Sequence, residues 1–215
     1  MNTKYTSLDI KKFWENVWSF KHTYISKNNT KELPWEINTY DKNLEDIINL
    51  LGLKKGDILE IGCGSGNDVK FLSKKGFNVT GIDISEKAIN IAKLNNKNSK
   101  NVKFIVGDVK NDLPKKTYDV IYDRGCIHNI KISDNLDDIF KILSNKLNSK
   151  GKMIIITGNS NEPPSKYTKP NSTTISEIEF FSKNFFKIKL AKEIEFKLNK
   201  NYENALGWLF LLEKK

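Results

Sequence analysis

The stretch Asp57-Ile-Leu-Glu-Ile-Gly-Cys-Gly-Ser-Gly66 decides the fold, because a short apolar run ends there in three alternating glycines. A second apolar run follows it and ends in Gly81-Ile-Asp-Ile84. A strand, a glycine-rich turn, a helix and a second strand that ends in an acid form the unit with which α/β folds hold a nucleoside-bearing ligand. Glycines allow the sharp bend and the close approach of backbone to ligand that such a turn needs. The sequence therefore predicts an α/β protein with a ligand site at this turn.

The spacing of the glycines indicates which ligand the turn holds. A dinucleotide-binding loop of the Gly-x-Gly-x-x-Gly type would have its third glycine at position 67, which is Asn67. The acid and the glycines that are present resemble instead the Glu/Asp-x-Gly-x-Gly-x-Gly turn of S-adenosylmethionine (SAM) methyltransferases: Glu60, Gly62, Gly64 and Gly66. The resemblance implies that SAM is the cofactor and that these four residues bind it. We predict no metal site.

Strand-like and helix-like segments alternate from about residue 40 onward, which predicts one mostly parallel sheet with helices on both faces. The predicted strands are 57–61, 78–83, 102–106, 118–123, 151–157, about 185–196 and 205–213. The predicted helices are about 41–51, 67–75, 85–98, 133–147 and 175–183, with Ser85 and Ser133 as N-caps. The last two strands are too close in sequence for a crossover and must form an antiparallel hairpin. This order resembles the doubly wound, seven-stranded sheet of class I SAM methyltransferases, whose antiparallel last strand inserts beside the fifth.

Length and composition limit the partners of the chain. The 215 residues fit one domain, 1–215, and leave no room for a sizeable recognition domain, so the substrate is predicted to be a small molecule. The net charge of +10 would suit nucleic acid, but the lysines are scattered, and we predict no nucleic-acid partner. The two cysteines lack a disulfide-like spacing, and no apolar run reaches the roughly 18 residues of a membrane span. We expect a cytoplasmic monomer or weak homodimer without membrane contact.

Two acids follow the second and third predicted strands. Asp83 lies where a carboxylate can accept hydrogen bonds from both ribose hydroxyls, although it could also serve only as a charge at the start of the 85–98 helix. Asp108 closes the third strand, where it would accept from the adenine amino group. Apolar side chains beside these acids could sandwich the adenine ring: Ile82, Ile84 and Val109.

The fourth predicted strand ends in Asp123-Arg-Gly125, at the edge of the sheet where open α/β folds bind ligands. A narrower resemblance, to the thiopurine methyltransferase branch with its thiol, halide and tellurite methyltransferases, rests on this motif and on four others: Trp14-Glu-Asn-Val-Trp18, Pro34-Trp-Glu36, Pro163-Pro164 and Ile175-Ser-Glu-Ile178. Thiopurine methyltransferase itself lacks the second and third glycines of the turn. The resemblance therefore does not imply specificity for a purine thiol.

The narrower resemblance implies roles for several residues. Trp14 and Trp18 would belong to a lid segment, 1–40, that folds over the cofactor, although two aromatics four residues apart could simply pack in a core. Asp123 would serve both the cofactor site and the chemistry. Arg124 would reach the sulfonium or the acceptor, or would instead form a surface ion pair with Asp123.

Methyl transfer from a sulfonium needs no enzyme nucleophile, because the acceptor itself displaces the leaving group. Cys126 is therefore expected to be a small packing residue. His128 is a candidate catalytic base, since an imidazole of pKa about 6.5 can take a proton from a thiol of pKa about 8.5. Its alternative role is a hydrogen bond that stabilises the loop.

These observations predict a SAM-dependent methyltransferase that acts on a small molecule at sulfur or another soft acceptor, namely a thiol, halide, selenite or tellurite. Small-molecule O- or N-methylation and protein lysine N-methylation by the same fold stay open, as does a SAM- or RNA-binding module without turnover. The long loop 158–174 is predicted to be a lid or a binding element because loops of that length are usually functional.

Overall fold

The computed structural model describes residues 6–19, 32–130, 135–161 and 172–215. The strands within these ranges are β1 (Asp57–Ile61), β2 (Asn78–Asp83), β3 (Val102–Val106), β4 (Tyr118–Arg124), β5 (Leu147–Asn159), β6 (Ser172–Thr173), β7 (Phe186–Phe196) and β8 (Ala205–Lys214). The helices are α1 (Ser7–Trp18), α2 (Lys42–Leu50), α3 (Asn67–Lys74), α4 (Glu86–Asn95), α5 (Ile127–Ile130), α6 (Leu136–Asn145) and α7 (Ile175–Ser182).

The described strands form one sheet in the order β3-β2-β1-β4-β5-β8-β7, with β6 paired to β5 outside this path. The pairs from β3 to β5 are all parallel, whereas β8 runs antiparallel to both β5 and β7. The predicted doubly wound sheet, with its last strand inserted beside the fifth, is therefore confirmed. The strand order reverses between β1 and β4, and the carboxyl ends of these two strands meet at the switch point where such folds bind ligands.

Apolar side chains cover both faces of the sheet, as a parallel sheet between two helical layers requires. Ile58 of β1 packs in the cluster that includes α2 and α3, while its neighbour Leu59 packs in the cluster that includes α6 and α7. Alternate residues of one strand thus belong to the two layers. The central strands are buried on both sides, and this fixes where their carboxyl ends lie.

Capping side chains set where the helices begin. Ser85 accepts a hydrogen bond from the Ala88 N–H and caps α4, as predicted. The N-cap of α6 is Asn135, whose side chain accepts from the Asp137 N–H, so the predicted cap at Ser133 is wrong. Asn135 supplies the same kind of acceptor immediately before the apolar repeat of the helix. Ser133 itself lies outside the described residues.

Several predicted loops contain short elements. The sequence did not predict α5 or β6, because a four-residue helix and a two-residue strand carry too few residues for a periodic pattern. Most of the predicted loop 158–174 lies outside the described residues, as do 1–5 and 20–31 of the predicted lid segment. No helix in the described ranges is long and apolar enough to cross a membrane.

Candidate cofactor and acceptor site

The glycine turn leaves β1 at the carboxyl edge of the sheet. Gly62, Gly64 and Gly66 have φ angles of 62°, 51° and 74°, in the left-handed region that favours glycine. A Cβ at Gly62 would lie 2.6 Å from the Cβ of Cys126, so the packing role expected of Cys126 agrees with the geometry. A Cβ at Gly64 would lie 3.0 Å from the indole of Trp18. The turn is thus packed from two sides, by the β4–α5 connection and by α1.

Asp83 ends β2 and holds the glycine turn. Its Oδ2 accepts from the Gly64 N–H at 3.0 Å, and its Oδ1 accepts from the Ser85 N–H at 2.9 Å. Burial raises the pKa of this carboxyl to about 6. Each carboxylate oxygen can accept a further hydrogen bond, so the position suits the predicted contact with ribose hydroxyls. The bond from Ser85 also places the carboxyl beside the start of α4, which was its alternative role.

Asp108 shapes the turn after β3. Its Oδ1 accepts from the Lys110 N–H at 2.8 Å, and its Oδ2 accepts from the Ser7 hydroxyl of α1 at 3.1 Å. Ile82 and Val109 are buried in the core layer of α6 and α7, and Ile84 is half-buried. The predicted adenine contacts of Asp108 and of these apolar residues stay predictions.

Helix α1 lies across the strand ends where the predicted cofactor residues meet. Ser7 bonds Asp108 beyond β3, and Glu15 accepts from the Glu86 N–H at the start of α4 at 2.5 Å. Trp18, only 6% exposed, packs against Gly64. The indole of Trp14 meets that of Trp35 edge to face, with 5.8 Å between the ring centroids. Helix α1 therefore occupies the place that a lid would need, and the lid role itself stays a prediction.

Asp123 lies at the end of β4 and is fully buried. Its Oδ1 accepts from the N–H groups of Cys126 and Ile127 at 2.9 and 3.1 Å, which holds the start of α5. Its Oδ2 has no hydrogen-bond partner in the part of the chain that the structure describes. Burial raises the pKa of Asp123 to about 7, against the smaller effect of the two N–H bonds.

Arg124 does not pair with Asp123, so the alternative of a surface ion pair between them is wrong. Successive residues of a strand point to opposite faces, which separates the two side chains. The Arg124 Nε donates to Asp41 Oδ2 at 2.8 Å, Nη1 donates to the Trp35 carbonyl at 3.1 Å, and Nη2 donates to the Lys197 carbonyl at 2.5 Å. The predicted contact with the sulfonium or the acceptor stays a prediction.

His128 is buried beside β5. Its Nδ1 lies 2.9 Å from the Thr157 hydroxyl and accepts from the Gly158 N–H at 3.3 Å. A ring nitrogen that accepts carries no proton, so the neutral imidazole has its proton on Nε2. This arrangement favours the loop-stabilising hydrogen bond over the catalytic base, because in this form neither nitrogen is available to take a proton from the acceptor. The catalytic role stays a prediction.

A buried polar network beneath the turn includes residues that the sequence analysis missed. Asp68 of α3 accepts from the Asp41 N–H at 2.7 Å and from the Tyr122 hydroxyl at 3.1 Å. Glu60 lies in the same region, and its Oε2 has no hydrogen-bond partner among the described residues. Burial raises the pKa of Glu60 well above its ordinary value, and the neighbouring Asp68 raises it further. Asp68 comes directly after the glycine turn in the sequence, and this position could have marked it as a site residue.

The segment 32–36, here called the strap, contains the predicted motif Pro34-Trp-Glu36, but the sequence does not indicate the hydrogen bonds that hold it. The Asn199 N–H donates to the Pro34 carbonyl at 2.6 Å, and the Asn199 amide donates to the Glu36 carbonyl at 2.9 Å. On the other side, the Asn67 amide donates to Glu36 Oε1 at 2.5 Å. Asn67 is the residue that stands where a dinucleotide loop would have glycine, and its side chain ties the strap to the start of α3, directly after the glycine turn.

The chemistry of this edge suits SAM, which joins a nucleoside to a sulfonium and an ammonium group. Four acids lie at or just beyond the ends of four neighbouring strands: Glu60, Asp83, Asp108 and Asp123. Among the described residues, Glu60 Oε2 and Asp123 Oδ2 are buried and have no hydrogen-bond partner. Buried carboxylates are stabilised by a nearby cation. The residues present therefore fit a cationic nucleoside.

The fold and the turn together define a class I SAM-dependent methyltransferase. Residues 53–203 match a family model described as a methyltransferase domain. The chain belongs to this methyltransferase domain family, whose cofactor is SAM.

Two curated relatives extend this result. The chain is 29% identical over 143 residues to an uncharacterized methyltransferase of Alkaliphilus oremlandii, a match that covers 66% of the chain and 62% of the relative. It is 31% identical over 137 residues to a ubiquinone biosynthesis O-methyltransferase of Pelagibacter ubique, which covers 63% of the chain and 51% of the relative. The chain thus spans less than two thirds of the length of these relatives.

Solved structures share the fold. A protein from work on the conversion of a disulfide bond into a thioacetal group during echinomycin biosynthesis superposes with a TM-score of 0.80 at 18% identity, covering 96% of this chain and 92% of that one. TehB from Haemophilus influenzae superposes with a TM-score of 0.63 at 17% identity, covering 94% of this chain and 67% of that one. These solved structures confirm the predicted class I fold.

Proposed function

We propose that this protein transfers the methyl group of SAM to a small molecule, at sulfur or another soft atom of a thiol, halide, selenite or tellurite. The observation that carries the proposal is the cover over the site. Helix α1 packs on Gly64 and bonds Asp108, and the strap is tied to Asn67, so the strand ends lie under two segments of the chain. A small acceptor fits under such a cover, whereas a protein side chain would need an open groove.

The residues of the site would bind and orient the reactants. Asp83 would accept from the ribose hydroxyls, Asp108 would accept from the adenine amino group, and the Gly64 backbone would approach the cofactor closely. Bound SAM supplies an electrophilic methyl group on a sulfonium. Alignment of the acceptor with that group and exclusion of water would provide most of the rate enhancement.

A soft acceptor suits the arrangement around His128. Its Nδ1 accepts hydrogen bonds, so the neutral ring donates through Nε2 and does not remove a proton from the acceptor. An acceptor that is already an anion, such as a halide, needs no base, and a thiol of pKa about 8.5 ionises to a few per cent at neutral pH. These acceptors react without the base that a neutral alcohol would need.

A screen of SAM consumption tests the proposal. The purified protein is incubated with SAM and, in turn, with thiols, iodide, selenite, tellurite, phenols, amines and a lysine-rich peptide, and S-adenosylhomocysteine is measured. We expect turnover with the soft acceptors and its loss in Asp83→Ala. The control is Asp138→Asn, which changes an exposed carboxylate on α6 and should leave turnover intact. Turnover with the peptide alone would overturn the proposal.

The second candidate is O-methylation of a small molecule. It is favoured by the 31% identity to an O-methyltransferase of ubiquinone biosynthesis. Under this alternative, phenols would support turnover in the same screen and soft anions would not. Binding of SAM without turnover of any acceptor would favour a binding module instead.

A further inference from the structure

A buried ion pair lies beside the cofactor turn. The side chains of Arg124 and Asp41 are 9% and 0% exposed, with 2.8 Å between Nε and Oδ2. Asp41 Oδ1 also accepts from the Asn43 N–H at 2.9 Å and caps α2, and the Asp41 N–H donates to Asp68. A buried pair is stable when further hydrogen bonds satisfy both partners, and here they do. Helices α2 and α3 thus fix the position of the Arg124 head group.

The other donors of Arg124 bond two separate segments. Nη1 donates to the Trp35 carbonyl of the strap, and Nη2 donates to the Lys197 carbonyl in the β7–β8 loop, residues 197–204. The guanidinium is planar and presents its donors in a rigid fork, so one head group fixes the spacing of both segments relative to Asp41. A lysine ammonium is a single nitrogen and cannot reproduce that spacing.

The strap connects this fork to the cofactor turn. Glu36 accepts from the Asn67 amide beside the glycines, and the Trp35 ring packs against Trp14 of α1. Helix α1 in turn places Trp18 over the turn. A shift of the strap would therefore reach the turn by two routes, through Asn67 and through α1.

We propose that Arg124 is a positioning residue that ties the strap to the β7–β8 loop and thereby holds the cover over the cofactor turn. It acts on cofactor binding through the strap, without touching the acceptor. The inference rests on the proposed function only in taking the turn as the SAM site. It differs from the contact with sulfonium or acceptor that the family resemblance implies, because every Arg124 donor nitrogen bonds a group of the protein.

Arg124→Lys separates positioning from simple stability. The variant keeps a cation opposite Asp41 and loses the fork. We expect an unchanged circular dichroism spectrum, about tenfold weaker S-adenosylhomocysteine binding in calorimetry, and faster hydrogen exchange in both 32–36 and 197–204. The control is Lys152→Met, which removes an ion pair of the same 2.8 Å length between β5 and β8. It should change neither S-adenosylhomocysteine binding nor hydrogen exchange in 32–36 and 197–204.

A second variant covers the case in which Arg124→Lys does not fold. Asp41→Asn combined with Arg124→Met removes both charges of the pair and keeps an oxygen to cap α2, so neither partner of this pair is left as an unpaired buried charge. The same faster exchange and weaker binding are expected. Unchanged exchange in both segments would overturn the inference. Loss of turnover with normal S-adenosylhomocysteine binding and normal hydrogen exchange would also overturn the inference, since that result would mean that Arg124 contacts the acceptor.

The outcomes for the two proposals are distinguishable. If the wild-type protein binds no S-adenosylhomocysteine, the proposed function fails, while hydrogen exchange of the free variants still tests the tie between 32–36 and 197–204. If the wild type binds and Arg124→Lys binds equally well with equal exchange, only the positioning role fails.

Discussion

Asp83 accepts hydrogen bonds from the backbone of its own protein, and we predict that it accepts from a ligand at the same time. Its two oxygens already accept from Gly64 and Ser85, and the ionised carboxylate keeps lone pairs for further donors. Protonation would convert one oxygen into a donor. Because burial raises the pKa of Asp83 to about 6, the loss of acceptor capacity falls within an accessible pH range. Ionisation of this carboxyl should therefore be one source of pH dependence in cofactor binding.

The first prediction is that S-adenosylhomocysteine binds more weakly below pH 6. Affinity should rise with pH up to about 6 and then level off, because only the ionised Asp83 accepts from both ribose hydroxyls. At pH 5, one unit below that pKa, about a tenth of the carboxyl is ionised, and we expect about tenfold weaker binding. Calorimetry from pH 5 to 8 measures this. Asp83→Asn should bind weakly at every pH, and a wild-type affinity that stays constant across the range would contradict the assignment.

Gly62 packs so closely against Cys126 that a larger residue does not fit there unless Cys126 moves. The second prediction is that Gly62→Ala destabilises the fold by more than Gly52→Ala, as measured by chemical denaturation. Both glycines have φ of 62°, so alanine is strained by about 1–2 kcal/mol at each. At Gly52 an added Cβ meets nothing within 4 Å, whereas at Gly62 it lies 2.6 Å from the Cys126 Cβ. The collision should add about 1–3 kcal/mol, and equal losses in the two variants would mean that Cys126 moves aside freely.

At the scale of elements, helix α1 is held in place by contacts close to the predicted cofactor site. The helix begins with a capping box between Thr6 and Asp9, and it packs on α4 through a small apolar cluster that includes Val17 and Ala88. Trp18 lies against the glycine turn, where we predict that the cofactor binds. A cover in this place must open for exchange of cofactor and product.

The third prediction concerns this opening. Hydrogen exchange of residues 7–18 should slow when S-adenosylhomocysteine is added, and tryptophan fluorescence should shift. Trp18→Ala should weaken ligand binding, because it removes the side chain that covers Gly64. Phe13→Ala is the matched control, since that ring lies on the same helix and is 44% exposed. Equal exchange with and without ligand, together with normal binding by Trp18→Ala, would show that α1 only packs.

At the scale of the whole molecule, the sequence predicted the parts of the site that lie within one supersecondary unit. The glycine turn and Asp83 are local signals, since a strand, a turn and the next strand carry them within about thirty residues. Arg124 and Asp41 are 83 positions apart, and Asn199 and Glu36 are 163 apart. No periodicity or spacing links such pairs, because only the folded sheet brings them together. The hydrogen bonds that hold the strap therefore required the structure.

The same buried edge makes the stability of the free protein depend on pH. Burial raises the folded-state pKa values of Asp68 and Asp83 to about 6 and that of Asp123 to about 7, from an ordinary value of 3.8. At a pH between 3.8 and these raised values, the three carboxyls of the folded protein bind more protons than those of the unfolded chain. The contribution of these three carboxyls to the free energy of unfolding therefore falls as the pH rises from about 4 to about 7 and is constant above that.

The last prediction follows from Asp123, whose buried Oδ2 has no described partner. Asp123→Asn keeps an oxygen for the Cys126 and Ile127 N–H groups and removes a charge whose burial disfavours folding at high pH. In chemical denaturation of the free protein, the variant should be more stable than the wild type at pH 8, on the order of a few kcal/mol, with the difference vanishing near pH 4. Added SAM should narrow the gap at pH 8, because a bound cation stabilises the wild-type carboxylate and has no such partner in the variant. A variant less stable than the wild type at pH 8 would mean that the Asp123 charge already has a compensating partner in the free protein.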